Sequence, residues 1–553
     1  LWPTFAPELV LSITILLMLI VRILPGGRLV PGWIMALAGA SVALYYSAPW
    51  LHLSAVGGIA RQELFTGMLV YDGFSVAVRA FLLLFVVLFA IFTRLTHNPD
   101  ESESVDFYCL VLGATVGMCL MAAANHLMMV FMAVEMASVP SYALAGQLKS
   151  KRKSSEAALK YSIYGAGTAG IMLYGISLLA GVLNSAHLPT MAVQLSEMMP
   201  TLSGDQQMVL ILGGLMLGVG LAFKLSAVPF HFWCPDVFEG ASAEVNAFLS
   251  IASKAGALAL LVRLSIGFGM VPSDYQHTPT AVAAVSHDFE TALTAAASDS
   301  DELTAAEANA AVYGADALAP SRHFIAVLIA VISMVTCTFG NLAAYGQTNI
   351  KRLMAYSTIA HAGYMMMAVP AAIVAMGTHP EIARNAIAAL ALYVAIYLLM
   401  NLAAFALIAF YRDSLGSEEI SAYSGLVRRA PLSVILFALT LFSLVGLPPL
   451  AGFLGKFAIF ASLAEGWQAT GSKLLMTLLV VGGINTAISL FYYLRVVKVM
   501  TIDPELDSNA TVSNVVPILS GAFLAILVLP IVTMLFYTNT INEWTLAATR
   551  HLF

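Results

Sequence analysis

The chain alternates between long uncharged apolar blocks and short polar or basic joints. A helix needs about 20 mostly apolar residues to cross a hydrocarbon core. Blocks of that length recur with centres near residues 16, 41, 83, 115, 136, 171, 216, 256, 333, 364, 397, 447, 487 and 526. Their residues do not alternate apolar with polar in short segments, as the spans of a membrane β-barrel would. The pattern predicts an all-α polytopic membrane protein of about 14 transmembrane helices. Pro229 and the Pro448–Pro449 pair interrupt blocks seven and twelve, and proline removes backbone hydrogen bonds, so both are expected to be broken helices. Exposed backbone groups cannot face lipid, so each break is expected to face protein or trapped water.

Composition agrees. Of 553 residues, 60% are hydrophobic and 10% charged, with a mean hydropathy of +0.87. Soluble domains carry about 25% charge, so this chain could not cover its own surface in water. The first apolar run, Glu8–Leu24, has no basic region before it and no small-residue cleavage site after it, and shows no cleavable signal. Basic residues follow the odd-numbered blocks at Arg28, Arg94, Lys149–Lys153, Lys351–Arg352, Arg428–Arg429 and Arg495–Lys498. By the positive-inside rule those joints face the cytoplasm and both termini lie on the outer side. The joint at 271–321 is different: it is acidic, alanine-rich and free of lysine and arginine until its end. It reads as a solvated outer-side insertion, with a short amphipathic helix capped by Ser300 or Asp301, or as a contact surface for a neighbouring subunit.

The expected organisation is a single membrane domain over 1–553. Three N-terminal helices occupy 1–106, a first unit 107–270, the acidic insertion 271–321, a second unit 322–500, and a C-terminal helix and tail 501–553. Two echoes suggest internal repetition. LKYS (Leu159–Ser162) matches MAYS (Met354–Ser357), and SAVPFHFW (Ser226–Trp233) matches VGLPPLAGF (Val445–Phe453). Counting back five from Pro229 and from Pro448 pairs Lys224 with Ser443. Units of five helices, an odd number, would be inverted repeats of opposite membrane orientation.

The chemistry resides in charges set inside apolar blocks. Glu135, Lys224, Lys254 and Lys456 each cost about 2.5–3.5 kcal/mol at the bilayer centre. One acid against three lysines leaves two lysines without a permanent partner. Such a set is either a static pair fixing helix packing or a proton relay in which pair geometry sets which group holds the proton. An acid 4 Å away favours the charged lysine by about 4 kcal/mol at an effective dielectric of 20, so moving it would switch the lysine between holding and releasing. His231 and His361 are candidate proton shuttles or buried histidines bonded to carbonyls. Asp236 and Glu239 are candidate proton-uptake acids or residues drawn to the start of the next helix. Arg263 reads as a snorkelling or structural charge. The four cysteines, Cys109, Cys119, Cys234 and Cys337, form no CxxC pair, and no glycine-rich nucleotide loop is present. The chain is therefore expected to hold no cofactor or metal of its own and to bind no nucleic acid.

EMASVPSYAL (Glu135–Leu144), KLSAVPFHFWCPDVFEGA (Lys224–Ala241), AFLSIASKAG (Ala247–Gly256), NIKRLMAYSTIAHAGYMM (Asn349–Met366) and GLPPLAGFLGKF (Gly446–Phe457) carry a resemblance. Together they resemble the antiporter-like subunit N family of complex I, the proton-pumping NADH:quinone oxidoreductase of bacteria, over nearly the whole chain. The resemblance implies a Glu135–Lys224 pair, Lys254 as the central relay and Lys456 as the link to the outer side, with His231 and His361 in family motif positions. It implies FMN, iron–sulfur clusters and quinone in other subunits, neighbouring antiporter-like subunits as partners, and a place in the bacterial inner membrane. The chain departs from the pattern at ASAEVNAFLS, where the family shows a run such as APxPVTAFLS, so that Glu244 stands at a proline or neutral position. An Mrp-type cation/proton antiporter subunit and a membrane subunit of an energy-converting hydrogenase share the broken helices and buried charges. A scaffold that conducts nothing is the third alternative.

Overall fold

A computed structural model describes residues 2–24, 30–48, 59–272, 275, 317–505 and 516–552. The amphipathic helix expected near Ser300 falls outside the described residues. Helices occupy the predicted blocks: α1 Trp2–Ile23, α2 Gly32–Ser47, α3 Gly73–Leu95, α4 Ser104–Ala123, α5 Leu127–Ala145 and α6 Arg152–Val182. Then come α7 Leu188–Met198, α8 Gly204–Leu225, α9 Trp233–Gly240, α10 Ala243–Gly269, α11 Ala319–Ala344, α12 Ile350–Met366 and α13 Ala368–Ala375. The series ends with α14 Pro380–Leu415, α15 Pro431–Val445, α16 Ala451–Thr470, α17 Lys473–Thr501, α18 Ile518–Thr533 and α19 Thr538–Thr549. Among the described residues 12 helical segments are long and apolar enough to cross a membrane, and α2 and α15 are shorter apolar helices.

Two elements were not visible in the hydrophobic pattern. An antiparallel hairpin pairs Gln62–Leu64 with Leu69–Tyr71, closed by a turn in which Phe65, Thr66 and Gly67 all take positive φ. Three-residue strands are too short to impose a period of two on the sequence. The short helix α7 starts on Pro189 and buries Leu188, Met191, Ala192 and Leu195; its length is half that of a span, so it merges with the joint around it.

The core forms around α10. This helix packs against α3, α4, α5, α7, α8, α11, α12, α13 and α14, and nearly all its side chains are buried, including Glu244, Lys254 and Arg263. Helices surrounded on all sides need not be amphipathic, and α10 reads as small and apolar residues throughout. Close approach is set by glycine: a Cβ on Gly117 of α4 would come within 2.6 Å of the Ala137 backbone of α5.

Two buried arginines tie α1 to α3 and α3 to this core. Arg79 of α3 pairs with Glu8 of α1 at 2.7 Å. Arg263 of α10 grips both carboxylate oxygens of Asp72 at 2.6 Å and also donates to the Ala122 carbonyl at 2.8 Å. Asp72 caps α3 in a reciprocal box with Ser75, so one carboxylate serves both a helix start and a buried cation. Arg263 is thus a structural charge and does not snorkel. Removing Arg263 leaves a buried, uncompensated carboxylate, which costs about 3–5 kcal/mol. Arg263→Leu is expected to lower the thermal stability of the membrane-extracted protein by that order. Asp72→Asn in the same chain, which keeps a capping oxygen, should recover part of the loss; thermal unfolding of the two variants checks this.

Candidate functional site

The two predicted breaks are present and share a geometry. Helix α8 ends at Leu225, and Ser226 turns left-handed at φ 54. Helix α15 ends at Val445, and Gly446 turns left-handed at φ 89. The chain then runs through Pro229 into α9 and through Pro448–Pro449 into α16. Hydroxyls satisfy amides freed at the breaks: Thr336 accepts from the Val228 N–H at 3.1 Å, and Ser443 accepts from the Gly452 N–H at 3.0 Å. Each helix therefore stops inside the bundle with its last carbonyls, the negative end of the helix dipole, pointing into protein.

Lysines occupy those carbonyl ends. Lys254 Nζ donates to the Leu225 carbonyl at 2.6 Å and to Ser226 Oγ at 2.9 Å. Lys456 Nζ donates to the Val445 carbonyl at 2.8 Å and lies 4.5 Å from the centre of the Tyr364 ring. Leu225 and Val445 are the corresponding last residues of the two broken helices, so the two ammonium groups fill equivalent seats. Lys224 is different. It is 2% exposed, and its Nζ has no hydrogen-bond partner among the described residues, with the Tyr142 ring centre 5.7 Å away. Glu135, half-buried on α5, is therefore not in contact with it, and the implied pair is open in this state. The cap geometry also corrects the register read from the prolines: with Ser226 aligned on Gly446, Lys224 corresponds to Leu444 and not to Ser443.

The histidines separate in character. His231 is buried between Phe232 and Phe339, each ring centre 4.4 Å away, and its Nδ1 has no partner among the described residues. His361 is bonded on both nitrogens, Nδ1 to Tyr393 Oη at 2.7 Å and Nε2 to Tyr493 Oη at 3.3 Å. His361 is therefore bonded to phenols and not to a carbonyl, whereas His231 has the Pro229 backbone carbonyl within hydrogen-bonding reach.

Asp236 and Glu239 on α9 lie away from the lysines, in a clasp at the end of the bundle that carries the basic joints. Asp236 bonds Lys160 at 2.8 Å and Arg352 at 3.0 Å; Glu239 bonds Lys153 at 2.8 Å and Arg352 at 2.7 Å. Burial pushes both carboxyls up, but the hydrogen bonds and charges of these partners outweigh it and hold both below the usual carboxylate range. Glu244, fully buried, takes both guanidinium arms of Arg412 at 3.1 and 3.2 Å and the Asn98 amide at 2.7 Å. Lys351 bonds Glu418 and the Ala241 carbonyl, each at 2.8 Å. Sequence reasoning overlooked Glu8, Arg79, Arg412 and this role for Lys351. Arg79 was the one with a signal, a charge within VAVRAFLLL. The tally of three lysines against one acid also changes. Three further acids, Glu8, Asp72 and Glu244, are buried, but they belong to Arg79, Arg263 and Arg412. A fourth lysine, Lys351, is buried against the partly exposed Glu418, and none of these acids contacts Lys224, Lys254 or Lys456 within hydrogen-bonding distance.

The LKYS and MAYS echo falls on α6 and α12, each of which follows a basic joint. Aligning α8 with α15 by their caps would match α6 to α14.

A fold of this kind, with lysines seated on interrupted helices, is that of an antiporter-type membrane subunit. The family model described as NADH:quinone oxidoreductase/Mrp antiporter, TM, matches the chain twice, over residues 124–305 and 303–489. A chain from Sorangium cellulosum named NADH-quinone oxidoreductase subunit N 2 is 35% identical over 98% of this chain and 96% of its own length. Among solved structures, respiratory complex I from Thermus thermophilus contains a chain with a TM-score of 0.68 and 26% identity, covering 97% of this chain and 98% of that one. The Mrp complex from a Dietzia species gives 0.74 at 17% identity over 99% and 97%, a likeness of fold alone. The chain belongs to the subunit N family of NADH-quinone oxidoreductases, the antiporter-like membrane subunits of complex I.

The Asp236–Glu239 clasp has a definite pH dependence. Carboxyls with lowered folded values contribute stability above their unfolded values, near 4, and lose it as pH falls through the folded ones. The acids are 35% and 24% exposed, so each pair is worth about 0–1 kcal/mol. The stability difference between wild type and Arg352→Gln should be constant from pH 8 to 6 and shrink as pH falls below about 4 through the lowered folded values. A difference that instead grows on acidification, in thermal unfolding across that range, would contradict the clasp.

Proposed function

We propose that this chain translocates protons as subunit N of an NADH-quinone oxidoreductase in a bacterial energy-transducing membrane. FMN, iron–sulfur clusters and the quinone site belong to other subunits, and the neighbours are antiporter-like subunits of the same membrane arm. One observation carries this reading. Three buried lysines have no acid in contact, while the buried arginines do. An arginine keeps its proton and needs a permanent counter-charge; a lysine in a low-dielectric seat can lose its proton and be reloaded.

In this reading Glu135 closes on Lys224 in one state and leaves it in another, as here. Lys224 then exchanges protons with Lys254, which the Leu225 carbonyl end holds in place, and transfer continues by way of His361 to Lys456. His231, beside the break with its Nδ1 unpartnered among the described residues, is a shuttle on the Lys224 side. Asp236 and Glu239, locked into ion pairs and held below the usual carboxylate range, serve the clasp rather than proton uptake. Glu244 serves in the same way, as the counter-charge of Arg412. The like geometry of the two broken helices, α8 and α15, supports two repeats, over 107–270 and 322–500, and five helices in each would relate them by inversion. The basic joints support a cytoplasmic face there and both termini outside. The Mrp reading shares the fold, but the relative at 35% identity over nearly the full length favours the oxidoreductase.

Lys224→Ala, Lys254→Ala and Lys456→Ala are each expected to slow proton transfer through this subunit by about 10²-fold, the usual contribution of a positioned acid–base group. The measurement is proton uptake by vesicles holding the assembled complex, driven by NADH and quinone. Full pumping by any one variant removes that lysine from the path, and full pumping by all three favours the scaffold alternative. Single cysteines at Thr378 and Gly416 test orientation: a membrane-impermeant thiol reagent added outside should label the first and spare the second.

A further inference from the structure

His361 stands in a chain of hydroxyls that the lysines do not supply. Tyr393 on α14 and Tyr493 on α17 bond its two ring nitrogens, and Tyr493 in turn bonds Ser357, one turn before His361 on α12. All four side chains are buried to within 2% exposure. Tyr393 packs against Gly455, the residue before Lys456, where an added Cβ would strike its ring. Two more buried polar side chains stand beside the chain of hydroxyls. Tyr397 and Asn401 lie one and two turns beyond Tyr393 on α14, and the Tyr397 hydroxyl has only the side chains of Thr358 and Asn401 within reach, neither in close hydrogen-bonding geometry. The Tyr397 ring sits 5.1 Å from that of His361, and Cys234, near Lys254, is within electrostatic reach of it. Buried polar atoms of this kind normally bond something, and a site with several of them is where water is held.

We propose that Tyr493 and Tyr393 are relay residues that carry the proton into and out of His361 on its way between Lys254 and Lys456. This deepens, and rests on, the proton-path reading above. A neutral imidazole donates from one nitrogen and accepts at the other, so the phenols necessarily take opposite roles. When a proton enters from the Tyr493 side, Tyr493 passes its O–H proton to Nε2 and is refilled from behind. His361 gives its Nδ1 proton to the Tyr393 oxygen, and Tyr393 passes its own proton toward Lys456. Every group ends neutral, with the donor and acceptor roles reversed. The alternative is that the two rings only pack, in which case the hydroxyls are dispensable, because phenylalanine keeps the ring.

Tyr393→Phe and Tyr493→Phe in the assembled complex test this, with Lys456→Ala for comparison and Tyr411→Phe as control. Tyr411 is also buried and hydrogen-bonded, to Ser433 at 3.1 Å, but lies outside the chain of hydroxyls. The expected result is a loss of about 10²-fold in proton transfer for both phenylalanine variants, with NADH oxidation by an artificial acceptor unchanged and Tyr411→Phe pumping normally. Wild-type pumping by both phenylalanine variants while Lys456→Ala stops it overturns this inference and leaves the function standing. Wild-type pumping by all of them overturns both. If the phenylalanine variants do not assemble, 3-fluorotyrosine at 393 or 493 keeps the ring and makes the phenol more acidic. A changed pumping rate at unchanged thermal stability then supports the relay, and an unchanged rate overturns it.

Discussion

The structure depends on how a chain accommodates cations where water is scarce. Taking an ion out of water costs several kcal/mol even after the protein relaxes, and four of the buried cations here meet that cost in one of two ways. Arg79 and Arg263 are paired with the carboxylates of Glu8 and Asp72. Lys254 and Lys456 are given helix carbonyls, which attract a positive charge without fixing it as an ion pair does. A paired arginine stays charged and ties helices together. A lysine on a carbonyl end keeps partners whether or not it is charged, because a neutral amine can still donate a hydrogen bond. The same cost, met differently, yields a fixed frame in one place and a less committed charge in another.

The breaks make the second arrangement possible. An uninterrupted helix spends its carbonyls on its own amides and offers none to a side chain in mid-membrane. Stopping α8 and α15 inside the bundle releases those carbonyls, and a left-handed residue aims the chain away so that a lysine can enter. Proline ensures that the helix does not resume at once. Hydroxyls from Thr336 and Ser443 take up amides left over, so the interruption costs less than the number of broken hydrogen bonds suggests. Lys224, one residue before the end of α8, gains no such seat.

At the end with the basic joints the ion pairs do the opposite task. Arg352 bridges Asp236 and Glu239, Lys351 holds the end of α9, and Arg412 holds the start of α10 through Glu244. Residues from α6, α9, α10, α12 and α14 meet there, drawn from both halves of the chain. The fixed end therefore contrasts with a bundle interior in which three lysines have no acid in contact.

Much of this was written in the linear order of residues. Apolar blocks of spanning length, basic joints at alternate positions, prolines at two breaks and lysines beside them follow from composition and local stereochemistry, which need no knowledge of neighbours. The hairpin at 62–71 and α7 escaped because their patterns are shorter than the periods that reveal them. The partner of a charge was beyond the sequence altogether. Arg263 finds Asp72 across 191 positions and Arg412 finds Glu244 across 168, while Glu135, whose sequence context points at Lys224, does not reach it in this state. Burial cost depends on residue type and can be read locally; what offsets it depends on which helices lie side by side, and only the packed bundle around α10 decides that.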